Sequence, residues 1–113
     1  MKALVVCDND RMPLETLTVT VRTENGDHAE LTLAGEIDAS TEQQLRNTLV
    51  EVVERGAKNL VVDCAEVTFL DSSGLRGMIE AIRLGATLTL RNPQPAVRLV
   101  FDIVTIPGLT IEV

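Results

Sequence analysis

The stretch that decides the fold reads Val67-Thr68-Phe69-Leu70-Asp71-Ser72-Ser73-Gly74-Leu75. An apolar run typical of a strand ends at Leu70, and a helical pattern begins at Leu75. The short connection from Asp71 to Gly74 therefore places small hydroxyl groups at the first turn of a helix. Backbone N–H groups in a first turn have no intrahelical partner, and the aligned peptide dipoles favour negative charge there. A serine at this position is suited to carry a phosphate.

Strands and helices alternate on both sides of this stretch. Residues 16–22 and 28–34 alternate apolar and polar side chains, and the Asn25-Gly26 pair between them indicates a hairpin. Helical periodicity and apolar runs predict helices between Ser40 and Gly56, at 72–84 and at about 95–104, and strands at 59–64, 86–90 and 109–113. The predicted fold class is α/β, a mixed sheet that opens with an antiparallel hairpin and has helices packed on it.

Two details of the helices follow from residue spacing. Ser40 with Gln43, or Thr41 with Gln44, has the spacing of a capping box at the start of the first helix. The second helix is expected to bury four apolar residues, which are Leu75, Met78, Ile79 and Ile82.

The composition favours one domain and argues against several functions. A chain of 113 residues with 45% hydrophobic content fits one domain over 1–113, with 1–14 as an extension in which 3–7 could be an edge strand and 8–13 a loop. Only 2% aromatic residues and a net charge of −7 argue against direct binding of nucleic acid. No apolar stretch approaches the roughly 20 residues of a membrane span, and the first residues do not resemble a signal peptide. We therefore expect a cytoplasmic protein.

Catalytic and ligand-binding residue types form no recognisable constellation. His28 lies beside the hairpin turn without a serine partner. Gly74 and Gly77 lack the lysine of a nucleotide-binding loop and are interpreted as positions of close helix packing. The acidic residues are dispersed, and Cys7 and Cys64 lack a metal or redox spacing. We expect no enzyme, no metal and no cofactor. Cys64 is interpreted as a small core residue, with a regulatory disulfide to Cys7 as the alternative.

Four segments together resemble the STAS domain of bacterial anti-sigma factor antagonists, also called anti-anti-sigma factors. They are Leu33-Ala34-Gly35-Glu36-Ile37-Asp38 followed by Thr41, Asp71-Ser72-Ser73-Gly74-Leu75, Asn92-Pro93 and Val97-Arg98. The resemblance covers roughly residues 16–113. It implies a STAS-like mixed sheet with helices packed mainly on one side.

The resemblance implies a partner switch instead of catalysis. The unphosphorylated protein would bind an anti-sigma factor, a serine kinase of the histidine-kinase-like ATPase type, and so release a sigma factor. The kinase would phosphorylate Ser72 and thereby end binding, and a serine phosphatase would reverse the modification. Asp38 would line the same surface. The full set of residues that we predict to bind the partner is Asp38, Asp71, Ser72, Ser73, Gly74 and Arg76.

Arg76 departs from the small residue that relatives often carry after this motif. It follows Ser72 by four residues and so shares its helix face. We hypothesise that Arg76 partly neutralises a phosphate on Ser72 or contacts the partner. The alternative is a solvated arginine paired with Glu80. Ser73 is interpreted as a local helix cap.

Other functions stay open at the level of the sequence. One is a STAS subunit of a stress-signalling scaffold or of a lipid-transport complex. Another is a small nucleotide-binding module, which the scarcity of aromatic residues and the missing phosphate-binding lysine disfavour. The oligomeric state is not predicted.

Overall fold

The computed structural model describes residues 4–5, 17–103 and 106–112. The strands are β1 Leu4–Val5, β2 Leu17–Asn25, β3 His28–Ile37, β4 Asn59–Leu70, β5 Thr87–Arg91 and β6 Leu109–Glu112. The helices are α1 Glu42–Glu54, α2 Leu75–Arg83 and α3 Pro95–Ile103, and a 3-10 turn at Ser72–Gly74 precedes α2. The predicted elements are therefore present, and β4 is longer than expected.

Within the described residues the six strands form one sheet in chain order. The pairs β1–β2 and β2–β3 are antiparallel, whereas β3–β4, β4–β5 and β5–β6 are parallel. The predicted hairpin is confirmed, with Asn25 and His28 as its last pair. Gly26 adopts φ +64° in the turn, a conformation that glycine accepts without strain. Within 3–7, Leu4–Val5 forms the expected edge strand, and the loop predicted at 8–13 lies outside the described residues.

The helices cover one face of the sheet, as the resemblance implied. Alternate residues of β2 and β3 are buried, and they form one hydrophobic cluster with the inner faces of all three helices. Its members from the helices include Leu45, Leu49, Val52, Leu75, Met78, Ala81, Val97 and Phe101. Cys64 is fully buried in this cluster, which confirms it as a core residue, while Cys7 lies outside the described residues.

Glycine sets the distance between α1 and α2. A Cβ on Gly77 would lie 2.9 Å from the Cα of Arg46, so the two helix backbones approach closely at this point. The packing interpretation of Gly77 is therefore confirmed. Since α1 and α2 each follow one of two adjacent parallel strands, their first turns lie near the same edge of the sheet.

The prediction that α2 buries Ile79 is wrong. The side chain of Ile79 is 39% exposed, whereas Leu75, Met78 and Ala81 are buried. Residues three apart face the sheet here, and Gly77 faces α1, so Ile79 points away from both. The structure thus leaves an apolar side chain on the outer face of α2.

Candidate functional site

The register of two parallel strands brings Asp38 and Asp71 together. Ile37 at the end of β3 pairs with Leu70 at the end of β4, so each aspartate is the next residue along its own chain segment. The backbone N–H of Asp71 donates to the carbonyl oxygen of Ile37 at 3.2 Å. Adjacent strands lie about 4.8 Å apart. Two acidic residues from distant parts of the sequence therefore meet at one edge of the sheet.

Asp71 caps the turn that leads into α2. Its backbone is extended, its carboxylate accepts the N–H of Ser73 at 2.9 Å, and its carbonyl oxygen accepts the N–H of Gly74 at 3.0 Å. The interpretation of Ser73 as the cap is therefore wrong. An aspartate that precedes the turn reaches an unpaired N–H two residues ahead, which a serine inside the turn cannot do.

Ser72 presents its side chain to solvent at the start of the same turn. Ser72 is exposed and Ser73 is partly exposed. Within residues 17–103 the Ser72 hydroxyl makes no hydrogen bond, whereas the Asp71 carboxylate already occupies the N–H of Ser73. A phosphate on Ser72 would thus be accessible to another protein and would lie beside a carboxylate.

A short hydrogen-bonded loop holds Asp38. The Asp38 carboxylate accepts the hydroxyl of Ser40 at 2.7 Å and the N–H of Ser40 at 2.9 Å. These bonds lower the pKa of the Asp38 carboxyl below its ordinary value, with a smaller contribution from Thr41. Asp38 is therefore ionised at neutral pH.

The capping box predicted for α1 does not form. Thr41 is 4% exposed, and its hydroxyl donates to the carbonyl oxygen of Glu36 at 2.9 Å and accepts the N–H of Asp38 at 3.0 Å. The side chain of Gln44 donates to the carbonyl oxygen of Leu17 at 3.0 Å. Thr41 thus bonds the preceding loop and the end of β3, whereas Gln44 makes a long-range contact to β2, and sequence spacing reveals neither set of partners. Thr41 ties the loop of Asp38 to the end of β3.

Gly74 lies beneath this surface instead of on it. The residue is buried, and a Cβ there would overlap the Cγ2 atom of Ile37. The packing interpretation of Gly74 is confirmed. Any effect of Gly74 on a partner therefore acts through the position of the turn.

Arg76 extends the candidate surface along α2. It is exposed, and within the described residues it forms no ion pair. Glu80 pairs instead with Arg83 at 3.2 Å, so the alternative in which Arg76 pairs with Glu80 is wrong. Arg76 therefore exposes its positive charge in the first turn of α2, four residues after Ser72, which itself lies in the preceding 3-10 turn.

Sequence reasoning missed two apolar residues that flank Ser72. Phe69 is 46% exposed, and Ile79 is 39% exposed on the outer face of α2. The register between β3 and β4 shifts between Gly35 and Glu36. In the same part of β4 the buried residues are three apart, Val67 and Leu70, so that Phe69 between them is exposed. No pattern in the sequence marks this irregularity. An exposed phenylalanine next to Asp71 therefore became apparent only in the structure.

Glu42 is a buried carboxylate in the first turn of α1. It is 7% exposed, and its Oε2 atom lies 3.4 Å from the Nε atom of Arg46, close enough for an ion pair. This oxygen still lacks a hydrogen bond among the described residues. Its position at a helix N-terminus favours the negative charge. Glu42 adds a third carboxylate to the first turns of the helices.

A comparison with protein families identifies the class. The family model described as "Mlab, STAS domain" matches residues 20–110. The chain belongs to the STAS domain family, which confirms the resemblance found in the sequence. No helix in the described part of the chain combines the length and the apolar character that crossing a bilayer requires.

Several relatives are anti-sigma factor antagonists. The anti-sigma-F factor antagonist RsfB of Mycobacterium tuberculosis is 42% identical over 62 residues, which cover 55% of this chain and 50% of RsfB. The chain thus spans about half the length of this relative. The crystal structure of an anti-sigma factor antagonist from Mycobacterium paratuberculosis is 27% identical, with a TM-score of 0.67 and coverage of 83% of this chain and 85% of the other.

SpoIIAA, an anti-sigma factor antagonist solved in two forms, shares the fold. Its unphosphorylated form has a TM-score of 0.71 at 21% identity and covers 84% of this chain and 88% of its own. Its phosphorylated form has a TM-score of 0.64 at 20% identity and covers 84% of this chain and 91% of its own. These likenesses show a common architecture.

Proposed function

We propose that this chain is an anti-sigma factor antagonist that is switched by phosphorylation of Ser72. The unphosphorylated chain binds an anti-sigma factor that is also a serine kinase, and binding releases a sigma factor. One observation carries the proposal: the Ser72 hydroxyl is exposed, makes no hydrogen bond within residues 17–103, and follows Asp71 at the sheet edge where β3 and β4 end together. The similarity to RsfB and to the antagonist of M. paratuberculosis supports the role.

The contact surface for the anti-sigma factor is centred on Ser72. Phe69 and Ile79 supply exposed apolar area, and Arg76 supplies an exposed positive charge. Aromatic and arginine side chains are common among residues that dominate binding energy. The partner packs against Phe69 and Ile79 and excludes water from the hydroxyl of Ser72.

Phosphorylation ends binding through charge. A phosphate adds about −1.5 to −2 charges at pH 7. The new charge lies beside Asp71, and Asp38 remains ionised because its pKa is lowered. Like charges brought together at an interface cost several kcal/mol, and each 1.4 kcal/mol is about a tenfold change in affinity. Arg76 offsets part of this repulsion.

The fold survives the modification because the Ser72 side chain is exposed and makes no hydrogen bond within residues 17–103. The cap on the turn is provided by Asp71, and Ser72 points into solvent. The phosphorylated chain is therefore a folded protein with a changed surface. A serine phosphatase can then restore the original surface without refolding. In this scheme the chain is a substrate of enzymes and has no catalytic activity of its own.

Phosphosite mapping tests the position of the modification. Each purified ATPase-type anti-sigma kinase of the source genome is incubated with ATP and the full chain, and phosphate is located by mass spectrometry. We expect phosphate on Ser72, none on Ser72→Ala, and unchanged transfer to Ser73→Ala, the matched control. Phosphate on Ser73, or on neither serine with every kinase, would refute the assignment.

Binding to the same kinase tests the switch. We expect Ser72→Ala to bind like the unmodified chain and Ser72→Asp to bind at least about tenfold more weakly. Thr110→Asp is the control, because Thr110 is exposed on β6 and lies outside the residues predicted to bind the partner. Equal affinity of all variants would contradict a charge switch at Ser72.

The nucleotide-binding alternative gains no support from the surface of the helices. A cavity of about 470 Å³ between α1 and α2 is lined by acidic side chains, together with Arg46, Asn47 and Val50. The acidic residues are Glu51, Glu54 and Glu80. Negative charge there repels nucleotide phosphates. The scaffold and lipid-transport alternatives remain predictions from the resemblance.

A further inference from the structure

We propose that the outward face of α3 is a contact surface between two copies of this chain. One face of α3 packs on the sheet through Val97 and Phe101, which are buried. The opposite face exposes Leu99 and Ile103, which are 61% and 83% accessible and are the two most exposed large apolar residues in the described parts of the chain. Since they are four residues apart, they form one apolar row along the helix.

A charged row runs beside the apolar row. Arg98 and Asp102 are both exposed and also lie four residues apart. Within residues 17–103 and 106–112 neither side chain takes part in an ion pair, whereas several other arginines of the chain are paired with glutamates. The outward face of α3 thus carries one apolar row and one row with a cation at its start and an anion at its end.

This face is complementary to itself in one orientation. When two α3 helices lie side by side in opposite directions about a two-fold axis, like rows face each other. Leu99 then packs against Ile103 of the second copy, and Arg98 meets Asp102 of the second copy. The two-fold axis repeats each contact, so the dimer contains two equivalent ion pairs between Arg98 and Asp102. A parallel pair related by a two-fold axis would instead place the charged row of one copy against the apolar row of the other, so the two rows together select the antiparallel pair.

The charge of the whole chain favours this surface for self-association. A net charge of −7 makes two copies repel each other over most of their surface. Arg98 and Asp102 together contribute no net charge, so this row adds nothing to the repulsion between two copies. The contact area is small, and we expect a weak dimer that forms at high concentration. The surface shares no residue with the one proposed around Ser72.

Sedimentation velocity of the full chain tests the proposal from about 10 µM to about 1 mM. We expect a monomer–dimer equilibrium whose dissociation constant increases about tenfold or more in Ile103→Glu. Leu84→Glu is the matched control, because Leu84 is 47% exposed at the end of α2 and should leave the equilibrium unchanged. A monomer at every concentration, or equal weakening by both variants, would overturn the proposal.

A charge exchange separates this specific pairing from general apolar association. Arg98→Asp and Asp102→Arg should each weaken the dimer, because each places like charges opposite each other. The double variant restores opposite charges and should recover the affinity of the unmodified chain. All three variants change exposed side chains, and circular dichroism verifies that they are folded. A double variant no better than either single variant would refute the antiparallel pairing.

Discussion

The backbone N–H of Asp71 donates a hydrogen bond of 3.2 Å to the carbonyl oxygen of Ile37, and so joins the end of β4 to the end of β3. The fully buried side chain of Ile37 also fills the space beside Gly74. Ile37 therefore fixes the position of the turn that contains Ser72, through its carbonyl oxygen and through its side chain. Asp38 follows Ile37 directly, so Ile37 positions both the loop that contains Asp38 and the turn that contains Ser72.

Gly74→Ala should destabilise the protein. The added methyl group would overlap Cγ2 of Ile37 and approach its carbonyl oxygen, and a buried β-branched side chain cannot move aside easily. We expect the free energy of unfolding in urea to fall by about 1–3 kcal/mol. Ile37→Ala opens space for the methyl group, so the double variant should lose less than the sum of the single losses. Additive losses would show that the overlap is not the cause.

Asp71→Ala should destabilise the start of α2 through loss of the cap. Its carboxylate accepts the N–H of Ser73 at 2.9 Å, and removal of a cap of this kind lowers the free energy of unfolding by about 0.5–2 kcal/mol. Asp71→Asn keeps an acceptor oxygen and loses only the charge, so its effect should be smaller. Thermal and urea unfolding of both variants measure the difference. Equal losses would mean that charge, and not the hydrogen bond, stabilises the turn.

The pKa of Asp38 should depend on Ser40. The hydroxyl and N–H of Ser40 hold this pKa below the ordinary value of 3.8. The unfolded chain therefore takes up this proton more readily, so the stability that Asp38 contributes is complete above pH 3.8 and is lost as the pH falls through the lowered pKa.

Carboxyl-detected NMR titration of Ser40→Ala measures this contribution. The variant should show an Asp38 pKa shifted upward, towards 3.8. Ser73→Ala serves as the control, since its hydroxyl does not bond Asp38. An unchanged pKa in Ser40→Ala would contradict the assignment.

Cys64 should be unreactive in the folded protein. It is fully buried, and burial together with the charge of Asp63 raises the pKa of its thiol to about 12. In Cys7→Ser, Cys64 is the only thiol, so Ellman's reagent should label nothing at pH 7 and one thiol per chain in denaturant. Rapid labelling of the folded variant would show that Cys64 is accessible and would revive a redox role.

Local patterns predicted the elements, because periods of two and of 3.6 residues report which side of a segment is buried. The hairpin around Gly26 and the burial of Cys64 were predicted in this way. Some of the failures concern side chains that bond to residues other than the partners that their spacing suggests. Thr41 bonds β3 instead of capping α1, and Gln44 bonds Leu17. Sequence spacing cannot distinguish such partners from local ones.

The sequence by itself determined that the chain has a mixed sheet, three helices and a serine at the start of a helix. Only the tertiary structure decided what surrounds that serine. Asp38 and Asp71 meet because β3 and β4 pair in parallel with Ile37 opposite Leu70, and Phe69 is exposed because the register shifts near their ends. Strand register depends on contacts between distant segments and on the packing of Gly74 under Ile37. Local residue patterns cannot predict contacts of this kind.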